Sequence, residues 1–139
     1  MEWLTGRSTK EKRSAVMNVL KVMSVDGKIE PPEMNFLMAV AKRVGLSEKE
    51  MKSILQKPDK VKFVVPKEPS ERLAQLMDAV FMMIADGKID KREMDACMSL
   101  ATRLEFKPSI VPNLVAHIVH AVKEGRNRDQ ARRDLSKFV

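Results

Sequence analysis

VMSVDGKIEPPEMNFLMAVAKRVGL, residues 22–46, is answered sixty residues later by MMIADGKIDKREMDACMSLATRLEF, residues 82–106. When residues 15–46 are laid on residues 75–106 without a gap, eleven of thirty-two positions are identical, where average composition predicts roughly two. The identities include Asp26/Asp86, Gly27/Gly87, Lys28/Lys88, Ile29/Ile89, Glu33/Glu93, Met34/Met94, Met38/Met98 and Arg43/Arg103. A repeat of this kind places any site built by its acids twice in the molecule, or once across a pseudo-twofold axis.

Helical periodicity surrounds both copies. Val16, Val19, Leu20 and Met23 recur at the spacing of one helix face, and Ser8 with Glu11 forms a capping box ahead of them, so a helix is predicted over 9–25. Asp26-Gly27 stops it, and Pro31-Pro32 open a second helix that carries Met34, Leu37, Met38, Ala41 and Val44 to Gly45. Ser47 with Glu50 caps a short helix ending near Gln56. Three prolines and the β-favouring run Val61-Lys62-Phe63-Val64-Val65 mark residues 57–69 as an extended linker. Helices over 70–85 and 90–104 repeat the first pair. Pro112 then begins a helix through Lys123, and Asn127 with Gln130 caps a basic terminal helix over 127–138.

The expected fold is an all-α, single-domain bundle of about six or seven helices, two helical hairpins sharing one core. The repeat halves are residues 12–56 and 70–122 of a 139-residue chain, which has the length of one domain and not of two. Apolar residues make up 44% of it, and no segment approaches the roughly 20 apolar residues that span a bilayer. The N-terminal MEWLTGRSTKEKR has no apolar signal-peptide stretch and the single cysteine cannot form an internal disulfide, so the expected location is cytoplasmic. The formal net charge is +7, with basic residues gathered near the N-terminus (Arg7, Lys10, Lys12, Arg13) and in the tail (Lys123, Arg126, Arg128, Arg132, Arg133, Lys137). That excess suits nucleic acid, an anionic membrane or an acidic partner. Glu124, Asp129 and Asp134 in the tail also fit a solvated helix face laced with salt bridges.

Each half carries D-G-K-I-[DE]-x-x-E. Asp26 follows Val19 by seven residues and Met23 by three, which sets its carboxylate on the inward stripe of the first helix; Asp86 stands in the same relation to Ala79 and Met83. A negative charge at a helix C-terminus is disfavoured by about 0.3–1 kcal/mol, so something must offset it. Turn-making is one answer, the aspartate folding over to accept backbone N–H groups, with Asp90-x-x-Glu93 a capping box and Glu30-x-x-Glu33 a weaker version of it. A hard-cation site is the other: Asp26, Glu33, Asp86 and Glu93 supply oxygens to calcium, magnesium or manganese, with Asp78 and Asp95 as outer candidates. An EF-hand is rejected, because its first and third ligand positions would fall on Val22 and Ser24 or on Met82 and Ile84, within helix core.

In these motifs the chain resembles the tellurite-resistance TerB-like family, an all-helical bundle of two similar halves. The resemblance rests on Val25-Asp26-Gly27 with Glu33, and Ala85-Asp86-Gly87 with Glu93, and covers roughly residues 12–122. It implies a cytoplasmic stress-response domain whose acids bind metal and which works through protein partners, some of them membrane-associated. The sequence departs from the family in its strongly basic balance and in Lys28 and Lys88 directly after the glycines.

Other signals point away from catalysis. Cys97 falls on the apolar stripe beside Met94 and Met98, as a small hydrophobe and not a nucleophile. His117 and His120 stand one helical turn apart, a spacing a metal can bridge but one common among surface histidines. The methionine pairs Met34/Met38 and Met94/Met98 read as pliable core. With no phosphate-cradling glycine loop, G-x-S-x-G or H-E-x-x-H, the chain is expected to be no enzyme. The competing functional class is a small basic nucleic-acid-binding helical protein.

Overall fold

The computed structural model of the chain describes residues 9–24, 31–84 and 89–135. Among these residues the fold is all-helical, with α1 (Thr9–Met23), α2 (Pro31–Val44), α3 (Glu48–Gln56), α4 (Pro69–Ile84), α5 (Lys91–Arg103), α6 (Val111–Lys123) and α7 (Arg128–Leu135), and one 3-10 turn at Pro58–Lys60. None of the described helices is long and apolar enough to cross a membrane.

α1 and α4 form the centre. Every residue from Ser14 to Leu20 and from Leu73 to Val80 is buried, so each central helix is covered on all sides and not on one stripe alone. The two pack on each other, α2 leans on both, and α5 does likewise. α3 closes over α1, α6 over α4 and α5, and α7 over α6 and α4. The outer helices α2 and α5 bury the same positions: Leu37, Val40, Ala41 and Val44 in one, Cys97, Leu100, Ala101 and Leu104 in the other. Their burial differs at one position, Met38, which is 40% exposed where Met98 is half-buried.

The ends of these helices follow local chemistry. Ser47 accepts the Glu50 N–H at 3.2 Å to start α3. At the head of α7, Gln130 N–H donates to Asn127 Oδ1 at 2.8 Å while Asn127 N–H donates to Gln130 Oε1 at 3.1 Å, a reciprocal capping box. α2 ends in left-handed Gly45 (φ 89°), with Leu46 N–H reaching back to Ala41 O at 2.9 Å. α5 ends through the same bond, Phe106 N–H to Ala101 O at 3.2 Å, although its left-handed residue is Glu105 (φ 72°), a conformation that strains any residue with a Cβ.

The linker is extended but joins no sheet among the described residues, because no strand lies beside it. Side chains bond its backbone instead: Val64 N–H donates to Ser14 Oγ at 2.9 Å, Ser14 Oγ donates to Val64 O at 3.3 Å, and the Arg72 guanidinium donates to Pro66 O at 2.7 Å and Lys67 O at 3.3 Å. Val61 and Pro66 are buried, and Phe63 packs against the core. Ser8, the Asp26-Gly27 and Asp86-Gly87 turns, Lys28, Lys88 and Glu30 lie outside the described residues, so the capping box and helix stops expected there are neither placed nor displaced.

Candidate functional site

Of the four acids expected to hold a cation, Glu33 and Glu93 are described; Asp26 and Asp86 lie outside the described residues. Both glutamates occupy the first turn of their helices, α2 and α5, where the positive end of the helix dipole favours a carboxylate. Both are buried, at 2% and 3% exposure. Their phase explains this, since Glu33 precedes Leu37, Val40 and Val44 by four, seven and eleven residues and so shares their inward face.

The start of α5 is capped by an aspartate. Asp90 is the N-cap, its Oδ1 accepting Arg92 N–H at 2.7 Å and Glu93 N–H at 3.4 Å. The bond from the Arg92 side chain, together with these backbone donors, holds the Asp90 carboxyl below the usual carboxylate range. Glu93 then turns inward toward Cys97. Burial first, and the Glu93 carboxylate second, push the Cys97 thiol up to about 12, so this buried cysteine stays a neutral thiol.

The outer candidates separate. Asp95 is exposed on α5. Asp78 is 3% exposed and forms an ion pair with Arg43, joining α4 to α2 across the two hairpins. His117 and His120 are both exposed; His117 Nδ1 meets Asn113 O at 2.7 Å, and His120 lies 3.6 Å from Glu124. With Glu124, Arg126 and Asp134 they line an open depression of about 300 Å³ between α6 and α7, where Arg126 is ion-paired with Asp134. Among the described residues, no three His, Cys, Asp or Glu side chains come together as a metal-holding group.

The structure adds polar seams that sequence reasoning missed. Asn18 Nδ2 donates to Gln75 Oε1 at 3.0 Å, a buried bond between the central helices. Arg103 lies over the Phe63 ring, 4.0 Å from its centroid, tying α5 to the linker. The one available signal was the recurrence of arginine at 43 and 103 in both copies. On the basic side, Lys10, Arg13, Lys60 and Lys62 line a depression of about 230 Å³ where α1 meets the linker, with Arg13 also ion-paired to Glu50. Lys12, counted in that basic cluster by sequence, is buried.

No protein-family model matches this chain, and neither does any curated protein or solved structure.

Proposed function

We propose that this chain is a non-catalytic, cytoplasmic stress-response protein of the tellurite-resistance TerB-like type, built from two pseudo-symmetric hairpins. In this proposal it binds a divalent cation (calcium, magnesium or manganese) through Asp26, Glu33, Asp86 and Glu93 and acts by binding other proteins, membrane-associated resistance components among them. The observation that carries it is the burial of Glu33 and Glu93 at matched first-turn positions, directly after the two D-G-K-I segments. Asp90 supplies the side-chain cap of α5. Carboxylates withdrawn from water favour a neutralising cation, and oxygen donors of this kind suit hard divalent ions.

A cation specific to the native state raises the thermal midpoint. Millimolar calcium, magnesium or manganese should therefore stabilise the wild type, and the double variant Asp26→Asn, Asp86→Asn should lose that response. A wild type indifferent to all three ions would leave turn-making as the role of the acids.

Nucleic-acid binding is the second reading, favoured by the Lys10, Arg13, Lys60 and Lys62 depression and by exposed Arg132 and Arg133 on α7. Replacing Arg126, Arg128, Arg132 and Arg133 with glutamine distinguishes it. Tight DNA or RNA binding by the wild type, with a salt dependence that becomes shallower in this variant, would establish the second reading over the first.

A further inference from the structure

Residues sixty apart occupy corresponding places in the two hairpins, and one pair breaks the correspondence. Arg43 of α2 meets Asp78 of α4 in an ion pair. The corresponding residues are Arg103 of α5 and Asn18 of α1, on two helices that also pack together. Here an amide stands in place of the carboxylate. Asn18 is as buried as Asp78, at 3%, but its amide is turned to Gln75. Among the described residues no carboxylate is ion-paired with Arg103, whose guanidinium rests on Phe63.

Between α1 and α5 there is a half-enclosed cleft of about 190 Å³, bordered by Asn18, Lys21, Ser99, Leu100 and Arg103. It therefore brings two cationic side chains, an amide and a hydroxyl-bearing residue to one small space with an apolar wall. A guanidinium stacked on an aromatic ring keeps its in-plane N–H donors, which match the two oxygens of a carboxylate. We propose that this cleft binds a carboxylate, which completes on Arg103 the pairing that Asp78 completes on Arg43. Lys21 adds a second positive charge, while Ser99 offers a neutral hydrogen bond. Neither Glu33 nor Glu93, the two described acids of the cation reading, borders this cleft.

Backbone amide shifts of the full chain, titrated with succinate, with a blocked glutamate peptide and with inorganic phosphate, test the assignment. Saturable shifts at residues 18, 21, 99 and 103 are expected with a carboxylate. Arg103→Gln should weaken that binding about tenfold or more, the usual consequence of losing a charged hydrogen-bond partner. Asn18→Asp should also abolish it, by supplying the carboxylate from within the chain, and should raise the thermal midpoint. If Asn18→Asp fails to fold, Arg103→Gln carries the test alone. Saturation by succinate identifies a free small carboxylate as the source, and saturation by the peptide alone identifies a partner's acidic side chain. An absence of saturable shifts in the wild type would overturn the proposal, as would binding unchanged in Arg103→Gln or phosphate bound as tightly as either carboxylate.

Discussion

The α1–α2 and α4–α5 hairpins solve the same packing problem with different side chains at a few positions. Their outer helices bury corresponding residues and end with the same backbone bond, yet Leu37 faces the core where Cys97 does, Asp78 answers Arg43 where Asn18 accompanies Arg103, and Gly45 stands where Glu105 does. Positions that share burial therefore set the shape, while the polar exchanges change which side chains pair across each side. The difference also separates cost from design: a glutamate in a left-handed cap is a local liability that the surrounding helix end sustains.

The largest expected contrast lies in the core. Leu37→Ala removes a fully buried side chain and should cost about 2–5 kcal/mol, whereas Cys97→Ala, starting from a smaller group, should cost less. Denaturant midpoints measure both, and equal losses would break the correspondence between these positions. Next comes the seam. Arg43→Gln takes the guanidinium from buried Asp78 and should cost about 1–3 kcal/mol. Arg103→Gln, which gives up an exposed cation–π contact, should cost about 0.5–1 kcal/mol.

The helix caps give a change of opposite sign. Glu105→Gly should stabilise the fold by about 0.5–1 kcal/mol by relieving the left-handed backbone, and Gly45→Ala should destabilise it by a similar amount. Arg72 sits 3.8 Å from the Glu105 carboxylate, an exposed pairing too weak to reverse that gain. Asp90→Ala lowers the midpoint at neutral pH by removing the α5 cap. Because the Asp90 carboxyl titrates below its ordinary value of 3.8 in the folded protein, its contribution is present above that value and is lost as the pH falls through the folded one. The gap between wild type and Asp90→Ala should accordingly narrow in strong acid.

Much of this fold was legible because its boundaries are written locally. Ser47 with Glu50, Asn127 with Gln130 and Gly45 fix helix ends through bonds spanning a few residues, Pro31 opens α2 through its fixed backbone angle, and the structure places those ends where the spacing predicts. Glu105 carried no such signal; only its alignment with Gly45 marked the end of α5. The polar seams were hidden for a different reason. Asn18 and Gln75 are 57 residues apart, and Arg43 and Asp78 are 35 apart, so their meeting depends on how two hairpins pack. Asp78, expected near a cation, is held by Arg43 for the same reason. Within the candidate site, the inward phase of Glu33 and Glu93 could be read from Leu37 and Cys97 four residues further on, whereas whether their carboxylates converge with Asp26 and Asp86 depends on two turns outside the described residues.

In the proposed function, the acids of the two D-G-K-I segments share the work of holding a divalent cation. Manganese is paramagnetic and broadens the amide signals of nearby residues, so titrating it into the wild type and into Glu33→Gln, Glu93→Gln locates the ion directly. The account predicts saturable broadening confined to the amides around residues 26–34 and 86–94 in the wild type, and its loss in the double variant. Broadening centred on His117 and His120, or unchanged in the double variant, would contradict it.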